Sequence, residues 1–178
     1  MNPPNPSEYP NTSYFAEYLN FSKSDNLIEL LLGQQNFIQK LCLSLSENEL
    51  EFKYEASKWS IKELIGHMAD SERIFAYRAL CIARGETSPL PGFDENLYVE
   101  NAHFQNCSPE QIWKYYQSGR TASLSLIQTL PEETLLKMGN ANGKAVSANA
   151  LFWMIAGHEK HHLKVINERY LPLLNKIL

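Results

Sequence analysis

The residues with the clearest chemical potential lie near the C-terminus, where the segment Gly157-His-Glu-Lys-His-His162 holds three of the chain's five histidines. In an α-helix with about 3.6 residues per turn, His158 and His162 project from the same face, one turn apart. Two imidazoles arranged in this way can bind one metal ion. His161 lies about 100° around the helix from His162, so we expect it at the surface or boundary of the fold.

Apolar residues on the same helical face indicate that this histidine pair points into a core. They are Leu151, Ile155 and Val165. A histidine-rich turn in solvent is the ordinary alternative, but unpaired polar groups cost several kcal/mol when they are buried. We therefore interpret His158 and His162 as metal ligands.

A third ligand has to come from elsewhere in the chain, and the two remaining histidines are His67 and His103. His67 lies on the shoulder of the apolar stripe of its predicted helix, a position that is typical of boundary histidines. His103 lies in a long predicted loop and would reach the site only if that loop folds over it. Periodicity alone leaves both candidates open.

Three carboxylates near these histidines are candidates for supporting roles. Glu72 falls inside an apolar stripe, so we expect it either to be functional or to pair with an arginine such as Arg78 or Arg169. Asp70 and Glu159 flank the candidate ligands in sequence and could orient an imidazole N–H.

Other residue types carry weaker signals. Tyr98, Tyr116 and Trp153 could line a pocket, although aromatic residues at helical spacing are more often core residues. The three cysteines are widely spaced and form no C-x-x-C motif, which fits neither a disulfide framework nor a thiolate zinc site. A reducing cytoplasm is therefore the expected location. Cys81 and Cys107 are not expected to be nucleophiles, because no histidine accompanies either of them in the sequence.

Signals at helix N-termini predict four long helices that would position these residues. Ser60 followed by Glu63 is a capping box, in which the two side chains satisfy free backbone amides of the first turn. The other three helices are expected to begin after Ser24 or Asp25, after Ser108 with Pro109 and Gln111, and after Ser147.

The ends of these helices are also marked. Gly85 is expected to end the second helix near Ala83, Pro131 ends the third, and the fourth should reach Tyr170. Gln34 is a polar exception in the apolar stripe of the first helix. With no convincing strand pattern, the prediction is an all-α four-helix bundle with a long crossover loop at residues 85–107.

Composition sets the broader limits. The chain has 178 residues, 44% of them hydrophobic, and a net charge of −4, so it can form one core without disulfides or a structural metal. We expect residues 1–11 to form a proline-rich arm and residues 12–178 a single domain. The acidic balance disfavours nucleic-acid binding, and no apolar run approaches the length of about 20 residues that spans a membrane.

Several motifs in a fixed order carry a family resemblance. They are Trp59-Ser-Ile-Lys-Glu-Leu-Ile-Gly-His67-Met-Ala-Asp-Ser-Glu-Arg73, Arg84-Gly85, Pro89-Leu-Pro-Gly-Phe-Asp94, Asn142-Gly143 and Ala156-Gly-His-Glu-Lys-His-His162. In these the chain resembles the DinB-like superfamily from about residue 14 to residue 171. The resemblance implies a four-helix bundle, often a homodimer, that binds a divalent ion through His67, His158 and His162.

These ligands and the resemblance together indicate a metal-dependent enzyme with a small-molecule substrate. Three imidazoles leave positions open on a divalent ion, and zinc or nickel suits them. Some relatives resemble transferases that attach bacillithiol, mycothiol or glutathione to an electrophile, so we expect thiol S-transfer in detoxification or stress response. The alternatives are a metal-dependent hydrolase and a non-catalytic metal-binding bundle.

Overall fold

The structure is a computed structural model that describes residues 1–10, 13–20 and 26–177, with side chains described from residue 16 onward in the second range. Four long helices dominate the described residues. The helices are α1 (Ser13–Asn20), α2 (Leu27–Ser44), α3 (Glu47–Leu50), α4 (Ile61–Arg84), α5 (Glu95–Ala102), α6 (Pro109–Thr129), α7 (Glu132–Leu135) and α8 (Ala148–Val165). An antiparallel hairpin, β1 (Met138–Ala141) and β2 (Lys144–Ser147), precedes α8.

Capping side chains begin the long helices largely where the sequence predicts. At α4, the Ser60 hydroxyl accepts a hydrogen bond from the Glu63 amide at 3.1 Å, and the Glu63 carboxylate accepts one from the Ser60 amide at 2.6 Å. Ser108 and Gln111 repeat this capping box at α6, and Ser147 caps α8. The cap of α2 is Asn26, whereas the expected residues 24 and 25 lie outside the described residues.

The C-terminal ends of two long helices are also determined by local conformation. Gly85 ends α4 with φ of 95°, a left-handed conformation that glycine adopts without a steric penalty. The last helix keeps α geometry only to Val165 and continues as a π-helical turn over Ile166–Tyr170. In that turn the Leu171 amide donates to the Ile166 carbonyl, five residues back, at 3.0 Å.

Helix contacts define how the bundle is wound. Helix α4 packs most extensively on α8 and α6, and α2 packs on α6 and α8, so α2 and α4 lie diagonally opposite each other. The predicted crossover segment, residues 85–107, therefore joins two adjacent helices. The connections that cross the bundle diagonally are residues 45–60 and 130–147.

Two segments that the sequence predicts as irregular contain regular structure. The 85–107 segment includes α5 and a 3₁₀ turn at Phe104–Asn106. The polar stretch around Asn142-Gly143 is the turn of the β hairpin, and both of its residues have positive φ, at 53° and 74°. Four-residue strands are too short to show a period-two pattern, although Asn-Gly is itself a strong hairpin signal.

The N-terminal arm packs against the start of α8. Glu8 is buried, and its carboxylate accepts hydrogen bonds from the Ser147 hydroxyl at 2.8 Å and from the Asn149 side-chain amide at 3.1 Å. The Trp153 indole N–H donates to the Asn2 carbonyl at 2.9 Å. None of the described helices is both long and apolar enough to cross a membrane.

A polar layer interrupts the core midway along the bundle. Buried apolar side chains form two clusters, one on either side of this layer. Each long helix contributes buried polar side chains between members of the two clusters, among them Gln34, Glu72, Arg120 and Glu159. The candidate ligands His67 and His158 lie at the same level of their helices, so they are part of the polar middle of the bundle.

Candidate metal centre

Three histidines from two helices meet at this level. His67 of α4 lies opposite His158 and His162 of α8, and the Nε2 atoms of His67 and His162 are 3.1 and 3.0 Å from the Nε2 atom of His158. One ligand atom from each of the three residues lies within 4.8 Å of the others. The structure thus brings His67, rather than His103, to the pair that the i, i+4 spacing singles out.

Close packing around the imidazoles fixes their positions. The Trp59 ring lies 4.7 Å from the His67 ring, and the Tyr18 and Phe75 rings approach His158 edge-on at 5.5 and 5.9 Å. The approach of α1 depends on Gly157, where an added Cβ would lie 2.1 Å from the Tyr18 carbonyl oxygen. A larger residue at this position would displace α1 from the triad.

Burial keeps the three imidazoles neutral. It lowers the pKa of His67 to about 4, and it lowers the pKa values of His158 and His162 well below the usual range, with a further contribution from the neighbouring histidines. Neutral imidazoles offer the lone pairs that a metal ion needs.

The spacing of the nitrogen atoms also fits a shared ion. Two ligands at about 2.0–2.1 Å from a tetrahedral ion stand about 3.3 Å apart, close to the observed separations of 3.0 and 3.1 Å. Three neutral nitrogen donors suit zinc or nickel. The residues therefore fit a divalent metal ion.

A cavity of about 560 Å³ lies beside the triad. Its described lining includes both aromatic or apolar side chains and polar ones. It consists of Tyr18, Trp59, His67, Ser71, Phe75, Arg78, Phe93, Glu95, Ala141, Asn142, Lys144, Leu151, His158 and His162. The predicted lining residues Tyr98, Tyr116 and Trp153 are not among them, because Tyr98 is exposed near Phe93 and the other two are core residues.

The three carboxylates expected near the ligands face other partners. Among the described residues, Glu159 accepts hydrogen bonds from Tyr116 and Arg120, Glu72 accepts them from Arg120, and Asp70 accepts one from Tyr115. No hydrogen bond between any of these carboxylates and an imidazole of the triad is present among the described residues. A supporting role for Asp70 and Glu159 therefore stays a prediction.

The residue that sequence patterns did not reveal is Arg120, which binds the two buried glutamates of α4 and α8, Glu72 and Glu159. Glu72 pairs with an arginine, as the sequence predicts, but the suggested examples are not its partners: Arg78 lines the cavity, and Arg169 is exposed. A signal was present, because Arg120 follows Tyr116 by four residues and therefore falls on the same buried stripe of α6.

The other singled-out side chains have structural positions. Gln34 donates from Nε2 to the Ala156 carbonyl at 2.7 Å, which joins α2 to α8 two residues before His158. His103 adopts φ of 52° at the end of α5 and remains exposed. His161 is half-buried at the boundary of the fold, as expected, with its ring 5.4 Å from that of Tyr18.

Fold and site together define a four-helix bundle with a buried three-histidine centre. The chain belongs to the DinB superfamily, whose model matches residues 31–166. The predicted all-α four-helix bundle is confirmed by its similarity to the structure of YfiT from Bacillus subtilis, with a TM-score of 0.74 and 17% identity, covering 85% of this chain and 87% of that one. That structure is described as "a probable metal-dependent hydrolase with an unusual four-helix bundle topology".

A curated relative has a similar description. A "putative metal-dependent hydrolase" of Oceanobacillus iheyensis is 31% identical over 123 residues, which cover 67% of this chain and 69% of the relative. Both relatives are thus described as metal-dependent, in agreement with a triad that can hold a divalent ion.

Proposed function

We propose that the chain is a metal-dependent enzyme that transfers a low-molecular-weight thiol to an electrophilic small molecule, with His67, His158 and His162 binding the ion. A divalent ion held there would lower the pKa of a coordinated thiol or water and supply a nucleophile near neutral pH. The reaction forms a carbon–sulfur bond, releases the leaving group with its bonding electron pair and transfers the thiol proton to solvent.

The observation that carries this proposal is that the buried carboxylates on the two helices of the triad are already engaged by an arginine. Hydrolysis benefits from a general base within hydrogen-bonding distance of the attacking water. The nearby glutamates, Glu72 and Glu159, are engaged by Arg120. Attack by a thiolate needs no such base once the thiol has lost its proton.

Hydrolysis is the second candidate, and two observations favour it. Both reported relatives are described as metal-dependent hydrolases. Glu95, at the exposed start of α5, is a carboxylate among the described lining residues. If Glu95 reached a water molecule in the cavity, it could act as the general base.

The test supplies both reactions to the same metal-loaded protein. Monochlorobimane with glutathione or bacillithiol reports thiol transfer, and p-nitrophenyl acetate reports hydrolysis. We expect conjugation to be accelerated, and we expect the His162→Ala variant to reduce it to the uncatalysed rate. The matched control is His161→Ala, which removes an adjacent histidine that is not part of the triad.

The other outcomes are equally decisive. Ester hydrolysis that depends on His162 and Glu95, without conjugation of any thiol, would support the hydrolase instead. A protein that binds one metal ion per chain but accelerates neither reaction would be a non-catalytic metal-binding bundle.

A further inference from the structure

One wall of the cavity beside the triad is a stripe on α4 with three polar residues and one phenylalanine. His67, Ser71, Phe75 and Arg78 succeed one another at intervals of four, four and three residues, so they lie on one face of the helix. The Cα atoms of His67 and Arg78 are separated by about 16 Å along the helix axis at 1.5 Å per residue. The cavity thus extends from the triad toward a buried arginine.

Ser71 is an unusual member of this stripe. Its side chain is buried, and its Oγ atom has no hydrogen-bond partner among the described residues. A buried hydroxyl without a partner costs about 1–3 kcal/mol. Because Ser71 lines a cavity one turn from His67, a bound ligand can supply the missing hydrogen bond.

The described lining of the cavity carries more positive than negative charge. Arg78 of α4 and Lys144 of β2 both line it, and the exposed Glu95 is its one carboxylate. This local excess of positive charge contrasts with the net charge of −4 for the whole chain. A cavity with this lining attracts anions.

Contacts from the loop before α5 hold the arginine in place. The Arg78 guanidinium donates from Nη2 to the Pro91 carbonyl at 2.5 Å, and its Cζ atom lies 5.9 Å from the centre of the Phe93 ring. The same loop packs on the hairpin, since a Cβ added to Gly92 would lie 2.3 Å from the Asn142 side-chain oxygen. This arrangement positions the guanidinium before a ligand binds, which limits the entropy lost on binding.

We propose that this wall binds a small organic acid, with Arg78 and Lys144 at its carboxylate and the Ser71 hydroxyl bonded to a polar group nearer the triad. The ligand's reactive end then lies at the triad, and this part of the assignment rests on the proposed function. The substrate class is therefore a carboxylate-bearing molecule whose acid group stands well apart from its reactive atom.

Binding of glutathione to the metal-loaded protein, measured by calorimetry at fixed ionic strength, tests this assignment. We expect Lys144→Met and Arg78→Met each to weaken glutathione binding about ten-fold, the loss that corresponds to about 1.4 kcal/mol. Glutathione diethyl ester should bind the wild type as weakly as glutathione binds the variants. The matched control is Arg84→Met, which removes the same charge from the exposed end of α4.

Several results would overturn the proposal. These are equal binding of glutathione and its ester, unchanged binding by both the Lys144 and Arg78 variants, and no binding of glutathione at millimolar concentration. Because Lys144 is exposed, its variant remains informative even if the Arg78 variant does not fold.

S-methylglutathione separates this proposal from that of thiol transfer. It keeps the carboxylates but has no free thiol. If its affinity falls in both variants while no thiol is transferred in any assay, the anion site is supported and the proposed transfer reaction is not. If conjugation is rapid but both variants bind S-methylglutathione like the wild type, the proposed transfer reaction is supported and the anion site is not.

Discussion

Arg120 and Glu72 form a buried two-point ion pair at the centre of the bundle. Nε and Nη2 of Arg120 each lie 2.9 Å from a different oxygen of Glu72, and the side chains are 0% and 2% exposed. The same guanidinium also donates to Glu159 and to the Leu31 carbonyl. One side chain of α6 therefore connects all four long helices.

Removing this arginine is predicted to destabilise the fold strongly. Arg120→Met leaves Glu72 and Glu159 buried without their cation, and a broken buried pair typically costs about 3–5 kcal/mol. Urea unfolding monitored by circular dichroism measures the change. Arg169→Met, on the exposed last turn, serves as the control and should change stability by less than about 0.5 kcal/mol. A loss below about 1 kcal/mol for Arg120→Met would contradict the prediction.

The identity of the third metal ligand can be tested by metal content. We predict that His67→Ala loses bound zinc or nickel, since two imidazoles remain where three converge. His103→Ala, which changes a histidine outside the triad, should bind about one ion per chain, as we expect for the wild type. Elemental analysis after gel filtration gives the ratio of metal to protein. Equal metal content in both variants would exclude His67 as a ligand.

Alanine substitutions at two helical glycines should change the stability of the protein in opposite directions. At Gly157 a Cβ would lie 2.1 Å from the Tyr18 carbonyl oxygen, so Gly157→Ala should cost about 1–3 kcal/mol through overpacking. At Gly33 of α2 nothing lies within 4 Å of the added atom, so Gly33→Ala should stabilise the protein by up to about 1 kcal/mol. Thermal unfolding of both variants measures whether each change raises or lowers stability. Stabilisation by Gly157→Ala would contradict the close packing of α1 on Gly157.

The cysteines should differ in their reactivity with a thiol reagent. Burial raises the pKa of Cys42 to about 12, so at pH 8 this thiol stays protonated and is shielded from the reagent. Cys81 and Cys107 are half-buried. Titration with Ellman's reagent at pH 8 should therefore label two thiols rapidly in the folded protein and three after denaturation. Rapid labelling of Cys42 in the folded protein would contradict its placement in the core.

Local signals predict those parts of the molecule that local interactions determine. The Ser60 and Ser108 capping boxes involve side chains three residues apart, and the pairing of His158 with His162 follows from helical geometry alone. These features need no knowledge of distant contacts, so the sequence is sufficient for them.

Features that depend on distant partners are harder to predict. Which arginine reaches Glu72 depends on how α4 and α6 pack, and 48 residues separate Glu72 from Arg120. His67 is ambiguous by periodicity because its stripe position is typical of a boundary residue. The family resemblance, which reflects the whole fold, selects it for the triad.

The π-helical turn after α8 makes chain length at that point important for the triad. This turn already contains one residue more than an α-helical turn, so inserting a further residue would rotate the C-terminal residues beyond it by about 100°. Tyr170, at its end, donates to the Trp59 carbonyl at 2.6 Å, and the Trp59 ring packs on His67. An insertion here would separate that phenol from the residue that covers a candidate ligand. Changes of side chain in this segment are therefore easier to accommodate than an inserted residue.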